Sequence, residues 1–212
     1  ATALGSRGHV AGGKFTASAT TRSLGVAAGA DLFVTGSARI GLLAAFGSDS
    51  LEMGERSSTV TGRGYHAGAY GRTERGGVNL SALVAYGWTD LRSERRSGLE
   101  GAEAAARGEF AATDLTAAVR ASLTPWAYGG WQIRPVAALT AYRLGRSSFA
   151  EEGAGGLGLS IAAQQATGAR GRIGIEIHRV AALHGDRRVD VRGGVSWVND
   201  LAAPGGTITA EL

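Results

Sequence analysis

A strict alternation of apolar residues with polar or small residues recurs along this chain and constrains its fold more than any other feature. Residues 172–178 read RIGIEIH, in which three isoleucines alternate with Arg172, Gly174, Glu176 and His178. A period of two is that of a β-strand, whose successive side chains point to opposite faces. The segment therefore predicts a strand with one aliphatic face and one charged or bare face.

The same alternation recurs in other segments. It is clear in residues 38–46, 78–88 and 188–197, and weaker in residues 20–30, 60–72, 108–123 and 132–144. With 172–178, these segments predict about eight strands and an all-β fold.

One of the weaker segments, 108–123, has a second interpretation. Leu115, Val119 and Leu123 are spaced as on a helical stripe, and the preceding GAEAAARGE contains good helix formers. A strand is favoured, because Ala117 and Ala121 then complete an apolar face.

Composition narrows the classes of protein. A chain of 212 residues can fold as one domain, and 35 glycines with only 3 prolines fit neither collagen nor proline-rich disorder. The absence of cysteine excludes disulfides and thiolate chemistry. The positive charges are scattered rather than gathered in a basic stripe, which argues against nucleic-acid binding. No apolar run approaches the ~20 residues of a transmembrane helix, whereas a β-strand crosses a bilayer in ~9–11 residues.

Short and long connections between the predicted strands alternate. The segments 30–38, 72–77 and 124–131 are short, whereas 47–59, 90–107 and 145–158 are long. Antiparallel strands in simple succession would place all short connections at one end and all long ones at the other. This pattern is typical of outer-membrane barrels, which have short periplasmic turns and longer outer loops.

Aromatic residues also fall at the ends of the predicted strands. We predict that they mark the two membrane interfaces, where amphipathic rings are enriched. The residues concerned are Phe46, Tyr86, Trp88, Trp126, Tyr128, Trp131 and Trp197. The alternative is a soluble β-sandwich in which aromatic residues simply end strands.

On the membrane interpretation, aliphatic faces point to lipid and charged faces point into a hydrated lumen. Charges in the middle of strands favour it, because a packed interior would tolerate them poorly. The predicted lumen-facing residues are Arg39, Arg120, Arg172, Glu176, His178, Asp190 and Arg192. They could line a slightly cationic passage, or merely pair across neighbouring strands and rigidify the wall; both interpretations stay open.

Residues 149–177, FAEEGAGGLGLSIAAQQATGARGRIGIEI, resemble the C-terminal β-domain of bacterial autotransporters. That family has a Phe, an acidic residue and a Gly-rich run, then a Leu-Ser strand, then a strand reading Gly-apolar-x-apolar. The matching positions are Phe149, Glu151, Gly153, Gly155, Leu157, Leu159, Ser160, Arg172 and Gly174. The segments 25–31, 38–50, 65–71 and 80–90 are similar to successive strands of the same domain.

The resemblance implies an antiparallel up-and-down transmembrane β-barrel in the outer membrane of a Gram-negative bacterium. Its partners would be membrane lipid, its own N-terminal passenger and the barrel-assembly machinery. Such barrels have twelve strands, and we expect eight or nine here, with truncation at both ends. Residues 1–19 are expected to form an irregular lead-in or partial strand, and residues 20–212 the incomplete barrel.

No enzymatic chemistry is indicated by the motifs. The run GAGGLG at 153–158 spells GxGxxG, but a dinucleotide site needs a buried strand before it and a helix after it. A loop is favoured. The histidines show no metal-ligand spacing and no serine lies in a GxSxG elbow. We therefore expect no cofactor, no metal and no catalysis. The function indicated is passenger export; the alternatives are a small porin or adhesin barrel, or a soluble glycine-rich binding module.

Overall fold

The computed structural model describes residues 1–13, 17–54, 57–99, 102–153, 158–182, 188–202 and 210–211. Its strands are β1 (Thr2–Val10), β2 (Ala19–Thr35), β3 (Ala38–Met53), β4 (Ser58–Arg75), β5 (Val78–Leu99), β6 (Ala102–Leu123), β7 (Trp126–Tyr128), β8 (Trp131–Arg146), β9 (Phe149–Ala150), β10 (Ser160–Ile161), β11 (Gln164–Ala182), β12 (Arg188–Ala202) and β13 (Ala210–Glu211). No helix in these ranges is long and apolar enough to cross a membrane.

The long strands form one curled antiparallel sheet in the order β1-β2-β3-β4-β5-β6-β8-β11-β12, with β7 paired to β8. Each strand therefore lies beside its neighbours in the chain, which confirms the all-β, up-and-down prediction. A small second sheet has the order β13-β10-β9. Strand β1, which the alternation did not single out, pairs along its whole length with Ala19–Ala27 of β2.

The segment 108–123 lies within β6, so the strand interpretation is confirmed and the helical one is wrong. The register explains why the sheet prevails over helix propensity. Residues Val78 to Leu99 of β5 pair one by one with Leu123 to Ala102 of β6, and this ladder is the longest in the sheet. Tertiary pairing thus overrides the weak local preference of the alanine-rich stretch.

Tight connections at one end of the sheet are confirmed. Gly76 and Gly77 have φ angles of +59° and +78°, and Gly129 and Gly130 have +57° and +80°. Two successive positive φ angles define the type I′ turn, whose twist matches that of a hairpin. Thr124, which follows β6, contacts the first of these turns, because its N–H donates a hydrogen bond to Gly77 O at 2.6 Å.

The prediction of long loops at 47–59 and 90–107 is largely wrong. Strand β3 continues to Met53, β5 to Leu99, and β6 begins at Ala102, so the connections there are residues 54–57 and 100–101. Beyond Trp88 the convex face of the β5–β6 hairpin changes from apolar to charged, with Asp90, Arg92 and Glu94, so the apolar alternation ends there although the pairing persists. Arg92 and Glu109 form an ion pair at 3.0 Å across this extension.

Candidate functional site on the concave face

Residues paired directly across two strands point to the same side of a sheet, so the register assigns every side chain to one of two faces. The first face carries Ile173, Ile175 and Ile177 of β11. Their partners there are Trp197, Val195 and Gly193 on β12 and Ala137, Pro135 and Ile133 on β8. The second face carries Arg172, Glu176 and His178.

Contacts between strands that are not neighbours show which face is concave. Arg120 on β6 reaches Glu176 on β11 at 2.6 Å, passing over β8. Strands two apart are separated by roughly 9.6 Å in a flat sheet, so such contacts form readily only on the inside of a curl. We therefore call the Arg172 side the concave face and the Ile173 side the convex face.

Burial is inverted relative to a soluble protein. In the described residues, only Ala106 and Val136 are buried hydrophobic residues, and both lie on the concave face. The large apolar side chains of the convex face are exposed: Ile173 is 55% accessible and Val195 74%. An exposed apolar face of this extent is typical of a surface that contacts another protein or a membrane.

The seven charged residues singled out in the sequence all lie on the concave face. Three of them belong to a single row that crosses the sheet from β3 to β11, and the structure adds a fourth arginine, Arg72. The row runs Arg39, Arg72, Ser81, Arg120, Ala138 and Arg172. This gives the concave face a line of four guanidinium groups.

Neighbouring groups compensate the charge of this row only in part. Arg39 contacts Asp31 at 3.4 Å, and Arg72 donates to the Asn79 side-chain oxygen at 3.1 Å. Arg172 has no ion-pair partner among the described residues. The row is therefore cationic overall, and Arg172 contributes a charge that no described carboxylate neutralises.

His178, Asp190 and Arg192 form a separate cluster near the turn end of β11 and β12. Arg192 donates two hydrogen bonds to Asp190, at 3.0 and 2.8 Å. Asp190 Oδ1 also lies 2.9 Å from His178 Nε2, although the angles are not those of a hydrogen bond. The Gln132 side-chain oxygen lies 3.3 Å from His178 Nδ1. The cluster brings together the last three residues of the predicted set.

Sequence reasoning missed His66 and Asp114, which meet on the concave face at 3.1 Å although they are 48 residues apart. Both are register partners of Gly87, on opposite sides of β5. A Cβ at Gly87 would overlap the Asp114 carboxylate and the His66 ring. The signal that locates this contact is the strand register, which places a glycine between two side chains that can pair with each other.

The described part of the motif before β11, residues 149–153 and 158–161, lies over the concave side of the β5–β6 extension and is called the flap here. The Phe149 ring stacks on Phe110, with 4.4 Å between centroids. Glu151 accepts a hydrogen bond from Arg95 at 2.6 Å and another from the Leu159 N–H at 3.2 Å. Burial alone would raise the pKa of Glu151, but these hydrogen bonds and the Arg95 charge hold the pKa below its usual value.

The structure describes some glycines of this motif and shows why each has no side chain. Gly153 has a φ of +87° and lies where a Cβ would be 2.8 Å from Ala105 O. Gly174 leaves room for the backbone of Val195 and Ser196. Gly155 and Leu157 lie outside the described residues. Gly158 leads into strand β10, and residues 154–157 of the GxGxxG run lie outside the described residues, so its loop interpretation stays a prediction.

The seven predicted interface aromatics all lie on the convex face, in two groups. Trp126, Tyr128 and Trp131 are at the end with the tight turns. Phe46, Tyr86, Trp88 and Trp197 are towards the opposite end, where Tyr65 joins Phe46 with 5.1 Å between ring centroids. An apolar stretch of sheet lies between the two groups.

No group of three or more metal-ligating side chains occurs in the part of the chain that the structure describes.

Comparisons with known proteins point to one family. The family model described as the autotransporter β-domain matches residues 1–212. The translocator domain of the autotransporter NalP from Neisseria meningitidis is similar in structure, with a TM-score of 0.73 at 18% identity, covering 91% of this chain and 65% of that one. The β-domain of the Bordetella autotransporter BrkA has a TM-score of 0.62 at 16% identity, covering 99% of this chain and 84% of that one. At these identities the likeness concerns the fold. No curated protein sequence matches.

Proposed function

Because this chain belongs to the autotransporter β-domain family, we propose that it is the outer-membrane translocator of an autotransporter, which anchors and exports a passenger on its N-terminal side. The convex face contacts lipid, and the concave face lines a hydrated passage. The chain spans about 65% of the length of the NalP translocator domain. Because the chain spans only part of that domain, we propose its passenger and its partners and do not infer them from the likeness.

The inverted burial is the single observation that carries this proposal. Ile173, Ile175 and Ile177 are exposed on the convex face, while Arg120 and Glu176 pair on the concave one. In water this arrangement would leave a broad apolar surface solvated; in a bilayer the same surface meets acyl chains.

The height of the apolar surface supports a membrane location. From Val78 to Trp88, the convex face of β5 extends about 33 Å at ~3.3 Å per residue. A strand tilt of ~40° reduces this to roughly 25 Å along the membrane normal, which is the height of the apolar band in outer-membrane barrels. The aromatic groups near the two ends of the band would then lie at the two interfaces.

The proposed role of the lumen-facing set is to keep the passage wet and non-adhesive. The four-arginine row and the His178 cluster offer a moving chain hydrogen-bonding groups instead of apolar walls. The domain acts mechanically rather than enzymatically. Passenger folding outside the cell supplies the driving force, and the barrel-assembly machinery inserts the domain in a Gram-negative outer membrane.

The test uses the full-length protein with Arg172→Gln and Glu176→Gln combined. Two quantities are measured: the conductance and ion selectivity in a planar bilayer, and the fraction of passenger that external protease can reach on intact cells. We expect an altered selectivity and slower surface appearance, because these side chains are proposed to line the passage. Wild-type values for both quantities would refute the lumen assignment.

Arg92→Gln combined with Glu109→Gln is the matched control. This pair is also an arginine and a glutamate, but it lies on the convex face beyond the aromatic row. It should leave conductance and export unchanged. Recovery of the wild-type protein in the soluble fraction without detergent would contradict membrane insertion itself and favour a soluble binding module. Insertion without passenger export would favour a porin or adhesin.

A further inference from the structure

An apolar pocket lies on the concave face next to the flap, at the end of the sheet opposite the type I′ turns. It has a volume of about 360 Å³, and Leu91, Phe110, Ala112 and Leu144 are among its lining residues. The strand register assigns all four side chains to the concave face. Leu144 is 44% accessible there. An exposed apolar pocket is unexpected on a face that contacts only water.

The pocket is a gap in the side-chain layer above Ala112. The concave-face residues before and after Ala112 on β6 are Phe110 and Asp114, and both are much larger. Phe110 is held by its ring stack on Phe149 of the flap, and Asp114 by its contact with His66. These neighbours cannot fill the gap without losing those contacts. Ligand pockets usually have volumes of ~300–1,000 Å³, so this one is large enough for one side chain but not for a folded element.

Polar side chains at the rim of the pocket suit a polypeptide better than a bare hydrocarbon chain. Thr89, Arg146 and Gln164 line the pocket beside its apolar walls. Arg146 makes one hydrogen bond to the described residues, to Ala162 O at 2.9 Å, whereas a guanidinium group has five N–H donors. A hydroxyl, an amide and a guanidinium group together offer donors and acceptors to peptide N–H and C=O groups. The apolar walls can then take the side chain of the same residue.

The direction of β1 brings the chain that precedes it past this pocket. Strand β1 runs from Thr2, which pairs with Ala27, to Val10, which pairs with Ala19 at the flap end of the sheet. The preceding chain therefore approaches from the end with the tight turns. A passenger outside the cell is joined to β1 by this connecting chain, which has to cross the passage and leave it at the flap end. The pocket faces the passage at that exit.

We propose that the pocket binds one large apolar side chain, a leucine, methionine or phenylalanine, of the chain that connects the passenger to this domain; the inference rests on the proposed function, which places that chain in the passage. The side chain fills the gap above Ala112 and contacts Leu91, Phe110 and Leu144. The peptide groups of the same residue bond to the polar rim. The bound residue fixes the position of the connecting chain at the exit.

The experiment uses the full-length protein in intact cells, with Gln164→p-benzoylphenylalanine as a photo-reactive probe at the rim. Cross-linked peptides are identified by mass spectrometry, and we expect them to concentrate around one large apolar residue of the connecting chain. Ala112→Leu fills the pocket from its floor and should lower the cross-link yield about tenfold, because burial of a large apolar side chain contributes at least that ratio. Thr116→Leu is the control, because it adds a leucine to the same face of β6 outside the pocket. It should leave the yield unchanged.

Leu144→Asn makes one wall polar at nearly the same volume and should also lower the yield, so the test stays decisive if Ala112→Leu fails to fold. The inference would be overturned by a yield that neither substitution changes, by cross-links spread evenly along the connecting chain, or by attachment to lipid alone. Passenger display is recorded on the same cells. A displayed passenger with an unchanged cross-link yield leaves the proposed function standing, whereas absence of display by the unsubstituted protein removes both.

Discussion

His66 Nε2 lies 3.1 Å from Asp114 Oδ1, and the two side chains meet directly above the backbone of Gly87. Gly87 pairs with His66 on one side and with Asp114 on the other. The contact joins β4 to β6 across β5. It therefore depends on the absence of a side chain at Gly87 as much as on the two polar groups. Tyr70 over Gly41 and Tyr142 over Gly168 repeat the arrangement elsewhere on the concave face.

Replacement of Gly87 by valine should destabilise the folded domain. The new side chain would overlap both partners of the His66–Asp114 contact, and overpacking of this kind costs about 1–3 kcal/mol. The free energy of unfolding in urea, measured in detergent micelles, checks the expectation.

Gly71→Val is the control for that substitution. Gly71 lies on the convex face, where the nearest atoms to an added Cβ are 3.8 Å away. We expect no loss of stability there. Equal destabilisation by both substitutions would show that valine is unfavourable at any glycine of this sheet and that the contact over Gly87 is irrelevant.

The class of fold was predictable because alternation persists wherever one face is apolar. Strand β11 shows this best: its convex face is aliphatic over Ile173 to Ile177, and its opposite face is charged or bare. The far ends of β5 and β6 were predicted to be a loop, because the apolar alternation that identifies a strand is lost where the convex face becomes charged. Strand pairing at Glu94 and Arg107 comes from the hairpin ladder, which a sequence pattern does not display.

The candidate site was predictable as a set of residues but not as a set of contacts. A period of two assigns Arg120 and Glu176 to a face, yet only the curl of the sheet brings these residues, 56 positions apart, to 2.6 Å. Asp114 was invisible for the same reason, because its partner lies two strands away.

Glu151→Gln should loosen the flap. Glu151 is only 5% accessible and receives hydrogen bonds from both Arg95 and the Leu159 N–H, so loss of its charge should cost roughly 1.5–3 kcal/mol locally. Amide hydrogen exchange at Leu159 should accelerate about tenfold or more. Glu152→Gln, a change of the adjacent carboxylate, which has no side-chain partner among the described residues, should leave the rate unchanged.

The flap should also respond to pH, in the direction set by the lowered pKa of Glu151. A carboxylate whose folded-state pKa lies below its ordinary value of 4.5 contributes stability above that value and loses it as the pH falls through the folded-state pKa. Exchange at Leu159, corrected for its intrinsic pH dependence, should therefore accelerate below about pH 4.5 in the wild type. The same rise in Glu151→Gln would exclude Glu151 as the titrating group.

Val119→Lys should prevent stable insertion, because Val119 lies in the middle of the convex face of β6. A lysine facing lipid at the bilayer midplane costs about 2–4 kcal/mol. Thr116→Lys places the same residue on the concave face of the same strand and should be tolerated. The fraction of folded protein in lipid vesicles is the measurement. If Thr116→Lys prevented insertion and Val119→Lys did not, the concave face would be the one that contacts lipid.

Removal of Glu176 alone should change ion selectivity more than stability. The Arg120–Glu176 pair is 43% and 36% accessible, and coupling energies of exposed pairs are typically 0.2–1 kcal/mol, so a double-mutant cycle with Arg120→Gln should give a coupling of that size. Glu176→Gln nevertheless removes the carboxylate that pairs with Arg120, and the guanidinium groups of Arg120 and Arg172 then share a row with no neutralising partner. The reversal potential in a salt gradient should therefore shift towards anion preference, and Arg120→Gln should shift it the other way. A coupling well above 1 kcal/mol with no change in reversal potential would mean that the pair stiffens the wall and does not face the conducting path.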